Sequence, residues 1–212
     1  WSADDVATLR AVYYGMIAEV DAQIGRLIAG LKAAGAWDRT IVIFCSDHGE
    51  MAGDHWLFGK GGFFEASYHI PLVIRDPAAP AAAQGGIVRA FTAAADIMPT
   101  LAQRLGQPPI NHQDGRSLMP FLAGEQPSGW RDAAFWEFDF RDIEHGAAEA
   151  HFGLDSRRCN LAVLRDDRFK YVHFAGLQPL LFDLAEDPGE MRDLSRDPAY
   201  AAVRLDFAER LL

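Results

Sequence analysis

The stretch from Ile41 to Asp76 reads IVIFCSDHGEMAGDHWLFGKGGFFEASYHIPLVIRD. It opens on five apolar residues, Ile41-Val42-Ile43-Phe44-Cys45, and closes on another apolar run, Ile70-Pro71-Leu72-Val73-Ile74. Both runs are short, rich in β-branched residues and not alternating. That is how strands buried on both faces of a parallel sheet read. Between them lies polar, glycine-rich chain beginning Ser46-Asp47-His48-Gly49-Glu50. An Asp and a His directly after a buried strand stand where an open α/β sheet places its ligands, outside the carboxyl ends of the strands.

The chemistry of this loop follows residue by residue. Asp47 offers a hard anionic oxygen and His48 a borderline nitrogen, a pair suited to a divalent cation. The same pair would also serve as a helix cap beside a surface imidazole. Gly49 lacks a Cβ, so the backbone can turn sharply after the pair. Lys60, between Gly59 and Gly61, is a lone cation suited to an anionic oxygen; Gly-Lys-Gly is equally the text of an exposed turn. His55 reads as a solvated loop residue and His69 as a packed one. A nucleotide-binding P-loop is excluded by spacing. Five residues separate Gly53 from Gly59, and Gly61 follows Lys60 where that motif needs Ser or Thr.

These residues carry a resemblance. Ser46-Asp47-His48-Gly49-Glu50, Gly53-Asp54-His55-Trp56-Leu57-Phe58-Gly59-Lys60 and Ser67-Tyr68-His69-Ile70-Pro71 resemble the metal motif of the sulfatase and alkaline phosphatase superfamily, and within it the phosphonate monoester hydrolases. The likeness extends from Tyr13-Tyr14-Gly15 to Lys170-Tyr171-Val172-His173-Phe174. It implies an α/β fold: part of an alkaline-phosphatase-like sandwich with a mixed, mostly parallel sheet, plus a smaller C-terminal antiparallel subdomain. It implies that Asp47 and His48 bind the metal and that Lys60, the catalytic residue, contacts the transferred phosphoryl or sulfuryl group. The substrate would be a small anionic ester: a phosphonate monoester, a phosphodiester or a sulfate ester. The family's nucleophile is a Cys or Ser in Cys/Ser-x-Pro-x-Arg, the Cys being converted to formylglycine. Neither Cys45 nor Cys159 is followed by that text, so the resemblance puts the nucleophile upstream of this chain. An arylsulfatase is the alternative inside the superfamily, and a non-catalytic assembly module the alternative outside it.

Composition is consistent with that reading. The net charge of −10 argues against nucleic acid or an anionic membrane as partner, and no apolar run approaches the length of a membrane span. An acidic protein acting on an anion must build a local positive site, which one divalent ion with Lys60 would supply. A His ligand beside a carboxylate favours Mn²⁺, with Zn²⁺ or Ca²⁺ as alternatives. Two cysteines make no disulfide framework. Cys45 reads as a small core residue, and the reduced thiols suit a cytoplasmic location.

Working outward, Ser2 with Asp5 reads as a capping box. Apolar residues recur from Val6 to Leu31 at spacings of three and four, one face of a long helix stopped by Gly35. A short strand is expected over Ile87–Phe91 and a helix over Ala93–Leu105, ended by Gly106. Residues 1–106 thus form the α/β part. Residues 107–131, broken by Pro and Gly around a short helix Ser117–Leu122, read as a linker. Residues 132–212 carry strand signals at Ala134–Phe138, Leu161–Leu164, Phe169–Phe174 and Leu180–Leu184, with local connections that favour antiparallel pairing, and a last helix from Pro198 to Leu212. The loop Asp142–Cys159 has scattered His and a lone Cys without metal-ligand spacing. The leading helix and the aromatic C-terminal text carry more apolar surface than one core can place, which predicts a homo-oligomer.

Overall fold

A computed structural model describes residues 1–109 and 111–211 of the chain. It divides into two compact units. The first takes in residues 1–61, 65–88 and 94–127, and the second residues 62–64, 89–93 and 128–212.

The first unit begins with α1, Ala3–Ala33. Its capping box is formed: the Ser2 hydroxyl oxygen accepts from the Asp5 N–H at 3.2 Å, and the Asp5 carboxylate accepts from the Ser2 N–H at 2.8 Å. At its end Gly35 adopts φ 64° and the Ala36 N–H turns back to the Leu31 carbonyl at 2.9 Å, which satisfies carbonyls the helix leaves open. None of its residues is buried; Val12, Val20 and Leu27 are all more than half exposed.

β1, Val42–Cys45, pairs with β2, Leu72–Arg75. The pairing is antiparallel, Val42 facing Arg75 and Cys45 facing Leu72, whereas the two runs read as strands of a mostly parallel sheet buried on both faces. The connection holds a 3-10 turn, Asp54–Trp56, and the one-turn helix α2, Glu65–Tyr68, and brings β2 back alongside β1 in the opposite sense. A parallel pair would need a full crossover. The two strands are half-buried to exposed, with Phe44 at 40% and Val73 at 60%. Cys45, expected in the core, is exposed. Arg75 ties β2 to the end of α1's turn: its guanidinium stacks 3.9 Å over the Trp37 ring and donates to the Trp37 carbonyl at 2.7 Å.

Directly after β2 the Asp76 carboxylate, 5% exposed, receives two bonds from Arg104 at 2.6 and 3.2 Å. Arg104 ends α3, Ile97–Arg104, which follows a 3-10 turn over Ala94–Asp96. The helix expected over Ala93–Leu105 is therefore present in two parts, and Gly106 stops it with φ 66°. The strand expected over Ile87–Phe91 does not form; Ile87 is 83% exposed and that segment is irregular. The short α4, Met119–Leu122, lies within the helix expected over Ser117–Leu122.

The second unit is an antiparallel sheet in sequence order: β3 Ala134–Asp139, β4 Asn160–Arg165, β5 Phe169–Phe174 and β6 Leu180–Asp183. Strict alternation gives it two apolar faces. On one, Leu164, Tyr171 and Leu181 pack with Leu194 and with Phe207 of the last helix, α6, Ala201–Leu211. On the other, Leu161, Val163, Val172 and Phe182 pack with Trp136, Phe138 and Phe63. The short helix α5, Ala147–Phe152, occupies the connection between β3 and β4. Among the described residues no helix is long and apolar enough to cross a membrane.

Candidate metal centre

The loop after β1 is held by short-range hydrogen bonds. The Ser46 hydroxyl donates to the His48 carbonyl at 2.7 Å, and the His48 N–H donates to Asp47 Oδ1 at 2.9 Å. That N–H is the largest influence holding the Asp47 carboxyl below the usual carboxylate range; Asp47's own N–H, the neighbouring imidazole and the charge of Lys60 act in the same direction. Asp47 is thus an anion at neutral pH. Its side chain is 86% exposed.

The imidazole of His48 is held through one nitrogen. Nδ1 lies 2.8 Å from the Gly49 carbonyl oxygen. A carbonyl only accepts, so Nδ1 carries a proton, and in the neutral ring the lone pair is then on Nε2. Nε2 stands 3.7 Å from Asp47 Oδ2. Two donors bound at about 2.0–2.2 Å to one ion stand about 3–4 Å apart, so this pair fits two sites on one divalent cation. Among the described residues no group of three His, Cys, Asp or Glu side chains that could hold a metal ion is assembled.

The turn that presents this pair admits only glycine. The Gly49 N–H donates to the Ser67 carbonyl at 2.8 Å, and a Cβ built on Gly49 would stand 2.0 Å from the Ala66 carbonyl oxygen. Glu50 then clasps the rest of the loop: Oε1 accepts from the Ala52 N–H at 3.0 Å and from the Gly59 N–H at 2.6 Å. The Met51 N–H returns a bond to the Gly59 carbonyl at 2.8 Å. Between these points Ala52, Gly53, His55 and Trp56 all have positive φ, conformations that L-residues keep only when their surroundings impose them. α1 supplies part of that imposition. Arg10 donates to the Ala52 carbonyl and to Asp54, both at 2.7 Å, and Val6 closes over Gly53, where a Cβ would meet Cγ1 at 2.5 Å.

Lys60 is exposed but its backbone is not loose. Gly59 is tied to Glu50, and the Gly61 N–H donates to the hydroxyl of Ser67, a fully buried serine, at 2.7 Å. Lys60 is near enough to lower the Asp47 pKa through its charge. The three residues singled out in the sequence therefore share one loop system. Glu50, Ser67 and Arg10, which hold that system, were not singled out; the carboxylate directly after Gly49 was the one available signal.

The two histidines of lesser promise exchange roles. His55 is half-buried, whereas the His69 side chain is 80% exposed, 3.8 Å from Glu65. In the second unit the connection 142–159 is organised by Asp142, whose carboxylate accepts from the N–H groups of Glu144, His145 and Ala147. Cys159 is buried, which pushes its thiol pKa up, the reverse of what a nucleophile needs.

Comparison with known proteins bears on the same loop. The sulfatase family description matches residues 2–107. The multifunctional alkaline phosphatase superfamily protein PehA of Trinickia caryophylli is 46% identical over 208 residues, covering 98% of this chain and 40% of that protein. Arylsulfatase K of Bos taurus is 32% identical over 194 residues, 90% of this chain and 34% of that one. Among solved structures, the phosphonate monoester hydrolase of Agrobacterium radiobacter superposes with a TM-score of 0.96 at 64% identity, covering all of this chain and 42% of that one. The chain spans about two fifths of the length of the relatives it matches most fully.

Proposed function

The chain belongs to the sulfatase family, and from that premise we propose that it is the C-terminal, metal-loop portion of a hydrolase of phosphonate monoesters, with phosphodiesters and sulfate esters as related substrates. The observation that carries the reading is the pair of free donor atoms after β1: Nε2 of His48, its tautomer set by the Gly49 carbonyl, 3.7 Å from Asp47 Oδ2. Preference for phosphonate over sulfate is supported by the higher identity to the Agrobacterium phosphonate monoester hydrolase, 64%, than to arylsulfatase K, 32%.

Asp47 and His48 would hold one divalent ion. Mixed carboxylate and imidazole donors favour Mn²⁺ over Ca²⁺, with Zn²⁺ as the alternative. Such an ion, when bound, supplies Lewis-acid stabilisation of charge on a phosphoryl or sulfuryl oxygen. Lys60 neutralises part of the negative charge on the transferred group, and its two glycine neighbours let the side chain approach that group without a competing Cβ. Glu50 and Arg10 act indirectly. They hold the strained turn in one shape, so the donors need not reorganise when charge develops. The attacking group, a formylglycine in the family this chain resembles, comes from outside these 212 residues.

The test is a graft. This chain replaces the matching two fifths of the Agrobacterium enzyme, and hydrolysis of an aryl phosphonate monoester is followed with Mn²⁺ present. Asp47→Ala is expected to abolish turnover, and Lys60→Ala to lower kcat about 10²- to 10³-fold, the usual effect of deleting one charge-stabilising donor. Undiminished turnover in Asp47→Ala would overturn the reading.

A further inference from the structure

Within the first unit, Ser67 joins the two halves of the loop system. It lies on the single turn of α2 and is fully buried. A buried serine needs hydrogen-bond partners, and inside a helix its hydroxyl ordinarily turns to the helix's own backbone. The Ser67 hydroxyl reaches outside α2 and accepts from the Gly61 N–H at 2.7 Å. Its main-chain carbonyl accepts from the Gly49 N–H at 2.8 Å. One residue thus holds two points of the loop that lie twelve residues apart in sequence.

Each point is the peptide plane that follows a residue of the candidate site. A peptide unit is planar, so a bond to its N–H also fixes the carbonyl of the residue before it. The Gly49 N–H shares its plane with the His48 carbonyl, and the Gly61 N–H shares its plane with the Lys60 carbonyl. The plane on the other side of Lys60 is held as well, since the Gly59 carbonyl accepts from the Met51 N–H at 2.8 Å. With both planes held, the direction in which the Lys60 side chain leaves the backbone is set, although its two glycine neighbours would otherwise leave it free. The chain between Gly49 and Gly61 is a poor spacer by itself, because it passes through Ala52, His55 and Trp56 at positive φ, where L-residues are strained. Ser67 spans the same gap through a few atoms. The distance between its hydroxyl and its carbonyl oxygen depends only on the rotations about Cα–Cβ and Cα–C.

We propose that Ser67 is a positioning residue that sets the place of Lys60 relative to the turn carrying Asp47 and His48. The proposal rests on the reading of Lys60 as the group that meets the transferred phosphoryl or sulfuryl group. The two acceptors divide the task. The carbonyl belongs to the backbone and holds the turn after His48 whatever side chain stands at position 67. The hydroxyl holds the plane after Lys60, and a substitution can remove it. Being fully buried, Ser67 acts through the backbone of Lys60 and not on the substrate.

The test is a double-mutant cycle in the grafted enzyme, read together with metal affinity. Ser67→Ala removes the hydroxyl and keeps the carbonyl. In the Lys60 background it is expected to lower kcat about 10- to 100-fold, the scale of an ångström-level misplacement, with KM changed less. Mn²⁺ affinity, measured by titration calorimetry without substrate, is expected to stay unchanged. In the Lys60→Ala background Ser67→Ala is expected to change kcat no further. Ser67→Cys, whose thiol accepts only weakly, is expected to show a smaller loss with the same dependence on Lys60, and it serves where Ser67→Ala does not fold. Unchanged kcat in the Lys60 background would overturn the proposal. So would equal losses in both backgrounds, which would show a structural role only, or a fall in Mn²⁺ affinity in step with kcat, which would show that the hydroxyl acts on the metal pair. If Lys60→Ala alone leaves kcat unchanged, the reading of Lys60 fails and the proposal falls with it.

Discussion

Gly49 shows how one atom decides the geometry of this site. A Cβ there would stand 2.0 Å from the Ala66 carbonyl oxygen, and a main-chain oxygen cannot swing away as a side chain can. Gly49→Ala must open the turn that carries Asp47 and His48. In the grafted enzyme it is expected to destabilise by more than about 2 kcal/mol and to weaken Mn²⁺ binding. Gly59→Ala is the matched control: a Cβ there meets nothing within 4 Å and the residue has only its φ of 77° against it, so about 1–2 kcal/mol is expected. Thermal midpoints with and without Mn²⁺ separate the two, and equal shifts would show that crowding at Ala66 is absent. Asp47, His48 and Lys60 could be picked out from sequence because their chemistry is local: an acid and an imidazole after an apolar run, and a cation between glycines. The clasp by Glu50 and the Arg10 bonds to the loop could not, because each depends on a partner far away in the chain. Cys45 was misjudged for a related reason. An apolar run predicts a buried strand, but which of its side chains are covered depends on what packs against it, and here Cys45 is exposed.

At the scale of elements, periodicity and turn chemistry were sufficient wherever contacts are local. The capping box of α1, the four strands β3 to β6 and the Asp166 turn between β4 and β5, where Oδ1 accepts from the Phe169 N–H at 2.7 Å, follow from neighbours in sequence. The pairing of β1 with β2 did not, because short apolar runs look the same in parallel and antiparallel sheets. Nor did the absence of a strand at Ile87–Phe91, where β-propensity yields to context. What joins β2 to α3 is a salt bridge, and it makes the stability of the first unit depend on pH. The Arg104 guanidinium beside Asp76 holds that carboxyl below its ordinary range. A depressed folded-state pKa contributes stability that is complete above the unfolded carboxylate value of about 4 and is lost as pH falls through the lower folded value. Asp76→Asn is therefore expected to lower the thermal midpoint at about pH 7, with wild type and variant converging as the pH is taken towards about 3. A gap that stays constant over that range would mean that the Asp76–Arg104 contact stabilises without its charge.

At the scale of the whole molecule, the proposed reading gives this chain half of a chemistry. On the proposed reading Asp47 and His48 would be two donors where catalytic metal sites commonly use three protein ligands, and among the described residues no group of three is assembled. Lys60 would be the cation of that site, but the Cys/Ser-x-Pro-x-Arg text of the family's nucleophile occurs nowhere between Trp1 and Leu212. α1 runs for 31 residues without burying one of them, although its apolar positions recur at the spacing of a packing face. These observations agree with one another. On the proposed reading the ligand pair, the cation and the exposed apolar positions of α1 would each be completed by further protein. The chain alone is accordingly expected to show no turnover of aryl phosphonate monoesters or aryl sulfates with Mn²⁺ or Zn²⁺, while the graft that joins it to the rest of the Agrobacterium enzyme turns over. Affinity of the isolated chain for Mn²⁺ is expected to be weak, since most of the coordination would be left to water, and to fall further in His48→Ala. The assay needs only the purified 212 residues and the graft side by side. Hydrolysis by the chain alone, lost on Asp47→Ala, would mean that a nucleophile lies within these residues and that the division of labour argued from Asp47, His48 and Lys60 is wrong.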